Sequence, residues 1–292
     1  MLVFLAPGQG SQAVGMLASW LDVADAQEQL VRWSELIDLD LIELGTTAAA
    51  DVIRATDLAQ PLLTAAALLS GRMLLHENTP DFVCGHSIGE LAAAALAGVL
   101  TDDEAIVLAR GRGEAMAAAT ALHPTGMTAV LGGEIDKDAV QAAGLEIATV
   151  NAAGQTVLGG TVEALDAFAV PPGIRLRRLE VAGAFHTSHM APARERFAQL
   201  VASLTPKDAH CAVIANADGA VLHDGQQIVE RLVGQLTGPV RFDRCIATMV
   251  EVGVSTGIEL APGGTLTGLM RRAAPSVTVT PIKSAADLRV DA

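Results

Sequence analysis

The sequence predicts an α/β protein whose helices cover a largely parallel sheet. Short apolar runs typical of strands alternate with longer helical runs over most of the 292 residues. Hydrophobic residues make up 51% of the chain, which is enough to bury a sizeable core. A Gly-x-Ser-x-Gly run, Gly85 to Gly89, also lies where a strand-like run meets a helical one. These three observations together favour the α/β class.

The two ends of the chain account for the parallel sheet. The predicted strands are Leu2–Ala6, Asp81–Cys84, Ala212–Asn216, Thr256–Leu260 and Val277–Pro281. The predicted helices are Gln60–His76, Ile88–Ala97, Asp102–Ala119, Ser188–Ser203, Gly225–Gln235, Arg241–Val252 and Thr265–Ala273. Thr101, followed by three acidic residues, is a typical helix start because its hydroxyl can cap the free N–H groups.

The middle of the chain has a different order of elements. The runs, in chain order, are a strand at Gly126–Leu131, a helix at Asp136–Ala143, strands at Glu146–Val150 and Gln155–Leu158, a helix at Val162–Phe168 and a strand at Ile174–Val181. The order β-α-β-β-α-β is ferredoxin-like. We therefore expect a small inserted domain at 125–182 within a larger α/β domain made of 1–124 and 183–292.

Composition and charge exclude several classes of protein. The net charge of −14 makes a nucleic-acid partner unfavourable. The three cysteines, Cys84, Cys211 and Cys245, are too widely spaced for a disulfide framework or a zinc site. No apolar run approaches the roughly 20 residues of a membrane span. The N-terminus lacks a basic region and breaks at Pro7-Gly8, so it reads as a core strand. We expect a cytoplasmic protein without a membrane partner.

The Gly-x-Ser-x-Gly run predicts a nucleophilic serine. In a tight turn between a strand and a helix, the Ser87 hydroxyl would stand at the N-terminus of the following helix. The helix dipole and free N–H groups there stabilise developing negative charge. An acyl-serine enzyme is therefore the first hypothesis. The alternative is a chance match, because the chain contains 28 glycines.

His186 is the candidate base for this serine. It lies in the segment 184–190, where the predicted insertion returns the chain to the larger domain, and such junctions border clefts. It also follows Ser87 in chain order, as this architecture requires. His186 and His189 are three residues apart and could share a helix face, so a metal site is an alternative. No acidic residue nearby supports it.

The loop after the first strand allows two interpretations. Gly8, Gly10 and Ala13 satisfy the Gly-x-Gly-x-x-Gly/Ala pattern of dinucleotide-binding proteins. The stretch Met16–Leu44, however, shows no second strand ending in an acidic residue that could hold a ribose. The alternative is a tight loop whose N–H groups face Ser87 and supply an oxyanion donor.

An ordered set of motifs resembles one family. The motifs, in chain order, are Gly8-Gln9-Gly10-Ser11-Gln12, Gln60-Pro61, Gly85-His86-Ser87-Ile88-Gly89-Glu90, Arg112-Gly113-Glu114-Ala115-Met116, Asn151 with Gly154-Gln155, Ala184-Phe185-His186, Gln235 with Pro239-Val240, and Pro262 to Leu269. The set resembles the malonyl-CoA:acyl carrier protein transacylases of bacterial type II fatty acid synthesis, particularly actinobacterial ones. The resemblance runs from about residue 2 to residue 283. It implies an α/β-hydrolase-like core with a ferredoxin-like insertion.

The resemblance also implies roles for individual residues. Ser87 matches the nucleophile that becomes malonylated, and His186 matches its base. Gln9 and Ile88 match the two backbone N–H donors of the oxyanion hole. Arg112 matches the guanidinium that binds the free carboxylate of the malonyl group. The position alone would favour a solvated helix residue, but the neighbouring Gly113 and Met116 and the need for a counter-charge in an acidic protein reverse that preference.

Further positions carry supporting roles in the family. The backbone carbonyl of Gln235 would orient His186, so that a Ser–His dyad replaces a full triad. Phe185 matches the bulky ring of malonyl-selective members, which crowds a 2-methyl branch. Gln60 and Asn151 match supporting positions. The segment 151–155 lacks the proline often found before its glycine, which implies a local change in the loop.

The resemblance implies ping-pong transfer of malonyl from malonyl-CoA to the phosphopantetheine thiol of an acyl carrier protein. This chemistry needs no metal or redox cofactor, and we expect a monomer. An acidic carrier would dock on a basic patch, and the candidate residues are Arg271, Arg272 and Lys283, or Arg175, Arg177 and Arg178. Scattered solvated charges are the alternative for both groups. The rival functions are an acyltransferase of malonate decarboxylation or polyketide assembly, a serine thioesterase or hydrolase, and a nucleotide-binding oxidoreductase.

Overall fold

A computed structural model describes residues 1–170 and 172–289 of the chain. Within them, helices and strands form a mixed α/β structure with two sheets, which confirms the predicted class. The strands are β1 (Leu2–Ala6), β2 (Phe82–Gly85), β3 (Thr125–Leu131), β4 (Glu146–Ala152), β5 (Gln155–Thr161), β6 (Arg175–Arg178), β7 (Ala212–Ile214), β8 (Val221–Leu222), β9 (Val240–Arg241), β10 (Thr256–Glu259) and β11 (Thr278–Pro281). The α-helices are α1 (Ala26–Ile37), α2 (Leu41–Thr46), α3 (Thr56–Leu75), α4 (Gly89–Leu96), α5 (Asp102–Thr120), α6 (Lys137–Ala142), α7 (Val162–Ala167), α8 (Ala191–Val201), α9 (Gly225–Gly234), α10 (Phe242–Glu251) and α11 (Thr265–Ala273). Short 3₁₀ turns lie at Ala18–Trp20, Ser188–Met190 and Ala285–Arg289.

The large sheet has the strand order β11-β10-β1-β2-β7-β8, and its pairs are parallel except β7–β8 at one edge. Alternate residues of β1 enter two different hydrophobic cores, because successive side chains in a strand point to opposite faces. Phe4 packs in one core, while Val3 and Leu5 pack in the other. The sheet is therefore covered on both faces, as parallel sheets usually are.

The small sheet has the order β6-β3-β5-β4-β9. Its first four strands are antiparallel and lie within 125–178, and they enclose a separate small core around Val130 and Leu158. The fifth, β9, comes from the later part of the chain and pairs in parallel with β4. This corrects the predicted helix at Arg241–Val252, which begins at Phe242 because Arg241 is paired to Val150 in the sheet.

No helix or strand was predicted between Met16 and Leu44, where the structure has α1 and the start of α2. Helix α1 buries Leu30, Trp33 and Ile37, whose spacing matches one helix face. Helix α2 adds Leu41 to the same core. The remaining predicted helices agree with the structure to within a few residues, and Thr265–Ala273 is identical.

Helix α3 is 20 residues long, with a mean hydropathy of 1.3 over its most apolar window, so length and composition alone would let it cross a membrane. The expectation that no such run exists was therefore wrong. In the fold, 72% of that window is buried inside the protein, as in the core helix of a globular domain. Its residue Gln60 lies within the buried part and reaches the site described next.

Candidate active site

Ser87 lies in a sharp turn between β2 and α4. Its φ of 54° is in the left-handed region, which is strained for a residue other than glycine. The turn leaves no room for side chains beside it: a Cβ on Gly85 would lie 2.1 Å from the Glu90 nitrogen, and one on Gly89 would lie 2.2 Å from the Ala6 oxygen. These contacts give the physical reason for both glycines of the motif, and the strand–turn–helix context matches a nucleophile elbow.

The Ser87 hydroxyl is 2.7 Å from Nε2 of His186, and Nδ1 of His186 is 2.8 Å from the backbone oxygen of Gln235. Because a carbonyl only accepts hydrogen bonds, Nδ1 carries the proton and Nε2 presents its lone pair to the serine. Burial, reinforced by the positive charge of Arg112, lowers the pKa of His186 to about 3. The imidazole is therefore neutral at physiological pH and can accept the serine proton.

Arg112 lies beside the dyad in a buried position on α5. Its Nη1 donates to Oε1 of Gln60 and its Nη2 donates to Oε1 of Gln235, both at 2.7 Å, and Nη2 is also 3.4 Å from Oγ of Ser87. Burial lowers its pKa to about 10, so the guanidinium stays charged at neutral pH. The two amide oxygens orient this charge without cancelling it, so an anion can bind next to the nucleophile.

Arg110 has a different environment, as the helical spacing predicts. Its Nη1 donates to the backbone oxygen of Asp57 at 3.1 Å, and its Nη2 forms an ion pair with Glu114 at 3.0 Å. It therefore ties α5 to the start of α3 and to its own helix, away from Ser87.

Two residues that sequence reasoning missed support the turn from behind. Asn216, after β7, accepts from the Ser87 N–H at 2.8 Å and donates to the Gly85 oxygen at 2.6 Å. The buried carboxylate of Glu90 accepts from the Asn216 N–H at 2.7 Å and from Nε2 of Gln235. Burial raises the pKa of Glu90 to about 7. An acidic residue directly after the Gly-x-Ser-x-Gly run, in an otherwise apolar helix, was the available signal.

Ile88 follows Ser87 in the chain, and Gln9 lines the same cavity as Ser87. Among the described residues, neither backbone N–H donates to a protein acceptor. Ile88 immediately precedes α4, where N–H groups are unpaired by the geometry of the helix. The side chain of Gln9 is turned away toward Thr56, at 3.3 Å, so its backbone is the part available to the site. Gly8 lets this loop approach closely, since a Cβ there would lie 2.5 Å from the His86 oxygen.

A cavity of about 270 Å³ opens onto the dyad between the two sheets. Its wall includes Gln9, Gln60, Ser87, Asn151, Phe185 and His186. Asn151, on β4, accepts from Nε2 of His86 at 2.9 Å and so connects the small sheet to the turn. The wall also includes two hydroxyls, Ser11 Oγ and Thr149 Oγ1, that are buried without a hydrogen-bond partner among the described residues. Buried hydroxyls usually have hydrogen-bond partners, so these two are available to form hydrogen bonds with a bound molecule.

The structure brings all nine predicted site residues to this one place. Six form the cavity wall, while Ile88, Arg112 and Gln235 lie directly around the Ser87 turn. His189 instead borders a separate cavity with His123. No group of three or more metal-ligating side chains occurs in residues 1–170 and 172–289, so the His186–His189 metal interpretation gains no support.

The dinucleotide interpretation of the first loop is wrong. That fingerprint needs the glycine-rich turn to open a helix, whose N-terminus then binds the pyrophosphate. Here the loop continues through turns, and α1 begins only at Ala26. The loop lies instead against the serine turn.

Comparison with known proteins agrees with this geometry. Residues 3–289 match the model of the family described as "Acyl transferase domain". The chain is 44% identical to the malonyl CoA-acyl carrier protein transacylase of Mycobacterium tuberculosis over 296 aligned positions, covering 99% of this chain and 98% of the relative. It is 35% identical to the enzyme of the same name from Bacillus subtilis, covering 93% and 90%. The crystal structure of MCAT from Mycobacterium tuberculosis superposes with a TM-score of 0.95, at 44% identity, covering 99% of this chain and 98% of the other.

Proposed function

Because this chain belongs to the acyl transferase family, we propose that it transfers a malonyl group from malonyl-CoA to the phosphopantetheine thiol of an acyl carrier protein, for fatty acid synthesis. The observation that carries the proposal is the buried Arg112 guanidinium, 3.4 Å from Oγ of Ser87. A cation held at this distance suits an acyl group that ends in a carboxylate. The names of the relatives agree with this substrate.

In the first half-reaction, Ser87 attacks the thioester carbonyl while His186 takes its proton at Nε2. The oxygen of the tetrahedral intermediate is negatively charged, and the free N–H groups of Gln9 and Ile88 would stabilise it. Collapse of the intermediate breaks the carbon–sulfur bond. His186 returns its proton to the departing thiolate, which leaves malonyl-Ser87 and coenzyme A.

In the second half-reaction, the carrier thiol enters the same cavity and His186 removes its proton. The thiolate attacks the serine ester, and the proton returns to Oγ of Ser87 as the malonyl thioester of the carrier leaves. Nucleophile, base and oxyanion donors all come from the chain, so we expect the reaction to need no metal or redox cofactor.

We also propose that the fold consists of two domains. We assign 1–124 and 183–292 to an α/β-hydrolase-like domain and 125–182 to a ferredoxin-like insertion. The cavity between the two sheets supports that division, because it lies where the two parts meet. A monomeric, cytoplasmic protein stays our prediction.

Of the two basic groups, the one around Arg271 and Arg272 better suits carrier docking. Both arginines are in the last turn of α11, and Arg272 borders the cavity through which a pantetheine arm must reach Ser87. The arginines of β6 lie at the far edge of the small sheet, and Arg178 is already paired with Asp166 at 3.3 Å.

The test is the intact mass of the protein after brief incubation with malonyl-CoA alone. We expect one malonyl adduct on the wild type and none on Ser87→Ala, while Ser203→Ala, which removes an exposed serine, behaves as the wild type. Added holo-carrier should then take up the malonyl group. Rapid loss of the adduct to water without carrier would identify a thioesterase instead, and no adduct with intact malonyl-CoA would contradict the proposed substrate.

A further inference from the structure

The side chain of Gln235 connects several parts of the site. Its Oε1 accepts from Arg112 at 2.7 Å. Its Nε2 donates to the backbone oxygen of Ser87 at 3.1 Å and to the Glu90 carboxylate. Its backbone oxygen holds His186 at 2.8 Å. The orientation of the Gln235 side-chain amide therefore determines whether Arg112 contacts its oxygen or its nitrogen.

The partners of the amide determine its orientation. A guanidinium only donates hydrogen bonds, so Arg112 requires the oxygen end. An ionised carboxylate only accepts, so Glu90 requires the nitrogen end. Both requirements are met together while Glu90 is charged. A neutral group at position 90 could instead donate to Oε1, and only the backbone oxygen of Ser87 at 3.1 Å and Oδ1 of Asn216 at 3.3 Å would then hold the nitrogen end in place. A turned amide would place its NH₂ against the N–H groups of Arg112.

Glu90 also supports the positive charge of Arg112 without pairing with it directly. The amide of Gln235 stands between the two charged groups, so the guanidinium keeps N–H groups for a substrate. A direct carboxylate partner would compete with a substrate carboxylate for the same donors. The arrangement therefore favours a cation that is oriented and still able to bind an anion.

We infer that Glu90 is a positioning residue which, through the side chain of Gln235, holds Arg112 in the orientation that selects acyl groups bearing a free carboxylate. The inference rests on the proposed function and extends it to the origin of substrate selection. The orientation of His186 does not depend on it, because the backbone oxygen of Gln235 holds His186 whichever way the side chain points.

The charge of Glu90 should change within the working range of pH. Burial raises the pKa of Glu90 to about 7, against the opposing effects of the Asn216 N–H, Arg112, Gln235 and Arg231. The Cys84 thiol also faces it, and its own pKa is raised, so it stays neutral. Selection for the carboxylate should therefore weaken as the pH falls below about 7.

The test compares acylation of Ser87 by malonyl-CoA and by acetyl-CoA, each followed by intact mass, in Glu90→Gln. We expect the ratio of the malonyl rate to the acetyl rate to fall by about 10- to 100-fold, as for loss of one hydrogen bond to a charged group. The acetyl rate itself should change little. Equal losses for both substrates, or an unchanged ratio, would overturn the inference.

Two further variants separate positioning from a general effect of charge. Glu114→Gln removes a carboxylate from the same helix as Arg112, on the side that faces Arg110, and should keep the wild-type ratio. In an Arg112→Ala background, Glu90→Gln should not alter the ratio further, because the group through which it acts is gone. An additional drop in that background would contradict action through Arg112.

The wild-type protein provides a readout that does not require the variant to fold. Its malonyl-to-acetyl ratio, measured from about pH 6 to about pH 8.5, should rise with pH, and in Arg112→Ala it should stay level. A level ratio in the wild type would also overturn the inference. A wild type that never prefers malonyl-CoA would instead contradict the proposed function.

Discussion

At the scale of single residues, we propose that selection of the acyl group depends on Arg112. The planar guanidinium of Arg112 donates to Gln60 and Gln235 and also lies near Oγ of Ser87. Lysine could supply the charge but not this planar set of N–H donors. Its burial matters equally, because a guanidinium screened from water attracts a carboxylate more strongly than an exposed one.

Replacing this group tests the selection directly. In Arg112→Ala, we expect kcat/KM for malonyl-CoA to fall by about 30- to 1000-fold, because a buried carboxylate would lose its paired cation. Acetyl-CoA, which has no carboxylate, should be turned over at nearly the wild-type rate. Arg110→Ala, on the same helix, is the matched control and should leave both values unchanged. Similar losses for the two substrates would argue against a carboxylate contact.

Phe185 should limit the size of the acyl group. Its ring is buried and forms part of the cavity wall directly before His186. In Phe185→Leu, we expect the rate with methylmalonyl-CoA relative to malonyl-CoA to rise by about 10-fold, within the range for one methyl group in a tight pocket. Steady-state competition between the two thioesters measures this ratio. Phe168→Leu, in the small core, serves as the control, and equal ratios in all three proteins would show that the ring does not restrict the branch.

At the scale of secondary-structure elements, one carboxylate organises the start of helix α11. Glu259 is fully buried and accepts from the N–H groups of Gly264, Leu266 and Thr267 at 2.7, 2.8 and 2.7 Å, respectively. These are the N–H groups that a helix start leaves without partners. The negative charge there also interacts favourably with the helix dipole. Because α11 carries Leu266, Leu269 and Arg272 into the cavity wall, this cap positions part of the site.

Removing the charge of this cap should weaken the fold. For Glu259→Gln, we expect the free energy of unfolding in urea to fall by about 2–3 kcal/mol, since an amide cannot accept from all these donors and carries no charge. Glu251→Gln, at the exposed C-terminal end of α10, should cost nothing measurable, because a carboxylate is unfavourable at that end of a helix. A matching loss in the two variants would contradict a specific capping role.

The elements that the sequence predicted correctly are those with a local signal. Strand β2, the serine turn and α4 follow from one apolar run, two glycines and a helical run, and the capping box at Thr101 is local as well. Helix α1 carried its own signal in the spacing of Leu30, Trp33 and Ile37, and it was overlooked. Strand β9 carried none: two residues have no period, and their conformation comes from pairing with β4.

The site residues likewise divide into those with a local sequence signal and those that depend on contacts between distant residues. Ser87, His186 and Arg112 were found through motifs, and the structure brings both His186 and Arg112 within hydrogen-bonding distance of Oγ of Ser87. The contribution of Asn216 could not be predicted, since it depends on a contact between residues 129 positions apart. The role of the Gln235 side chain likewise depends on partners from the serine turn, α4 and α5 meeting at one point, which no local pattern encodes.

At the scale of the whole molecule, two buried groups give the stability opposite dependences on pH. The pKa of His186 is lowered from 6.5 to about 3 in the fold, so its contribution to stability is lost as the pH falls below 6.5. The pKa of Glu90 is raised from 4.5 to about 7, so the fold gains stability from this group as the pH falls from 7 to 4.5. Each slope is about 1.4 kcal/mol per pH unit, so the two nearly cancel where their ranges overlap, from pH 6.5 to pH 4.5.

Glu90→Gln removes the contribution of Glu90 to the pH dependence of stability and leaves that of His186. As the pH is lowered from about 7 to about 4.5, we expect the unfolding free energy of the wild type to rise relative to that of the variant by about 1.4 kcal/mol per pH unit at most. Urea unfolding of both proteins at several pH values measures the difference between their free energies of unfolding. The contributions of all other titrating groups are the same in both proteins and cancel in this difference. A difference that stays constant over this range would show that Glu90 titrates normally.

The two outer strands of the antiparallel part of the small sheet, β6 and β4, are protected from other chains by different means. Strand β6, on one side, has the sequence Arg-Leu-Arg-Arg, and charged side chains discourage pairing with a foreign strand. Strand β4, on the other side, is instead covered by β9, which lies outside 125–182. A fragment cut at these limits would expose the backbone N–H and carbonyl groups of β4. Such a fragment should therefore self-associate through that strand, and we expect the proposed insertion to depend on the rest of the protein for its solubility.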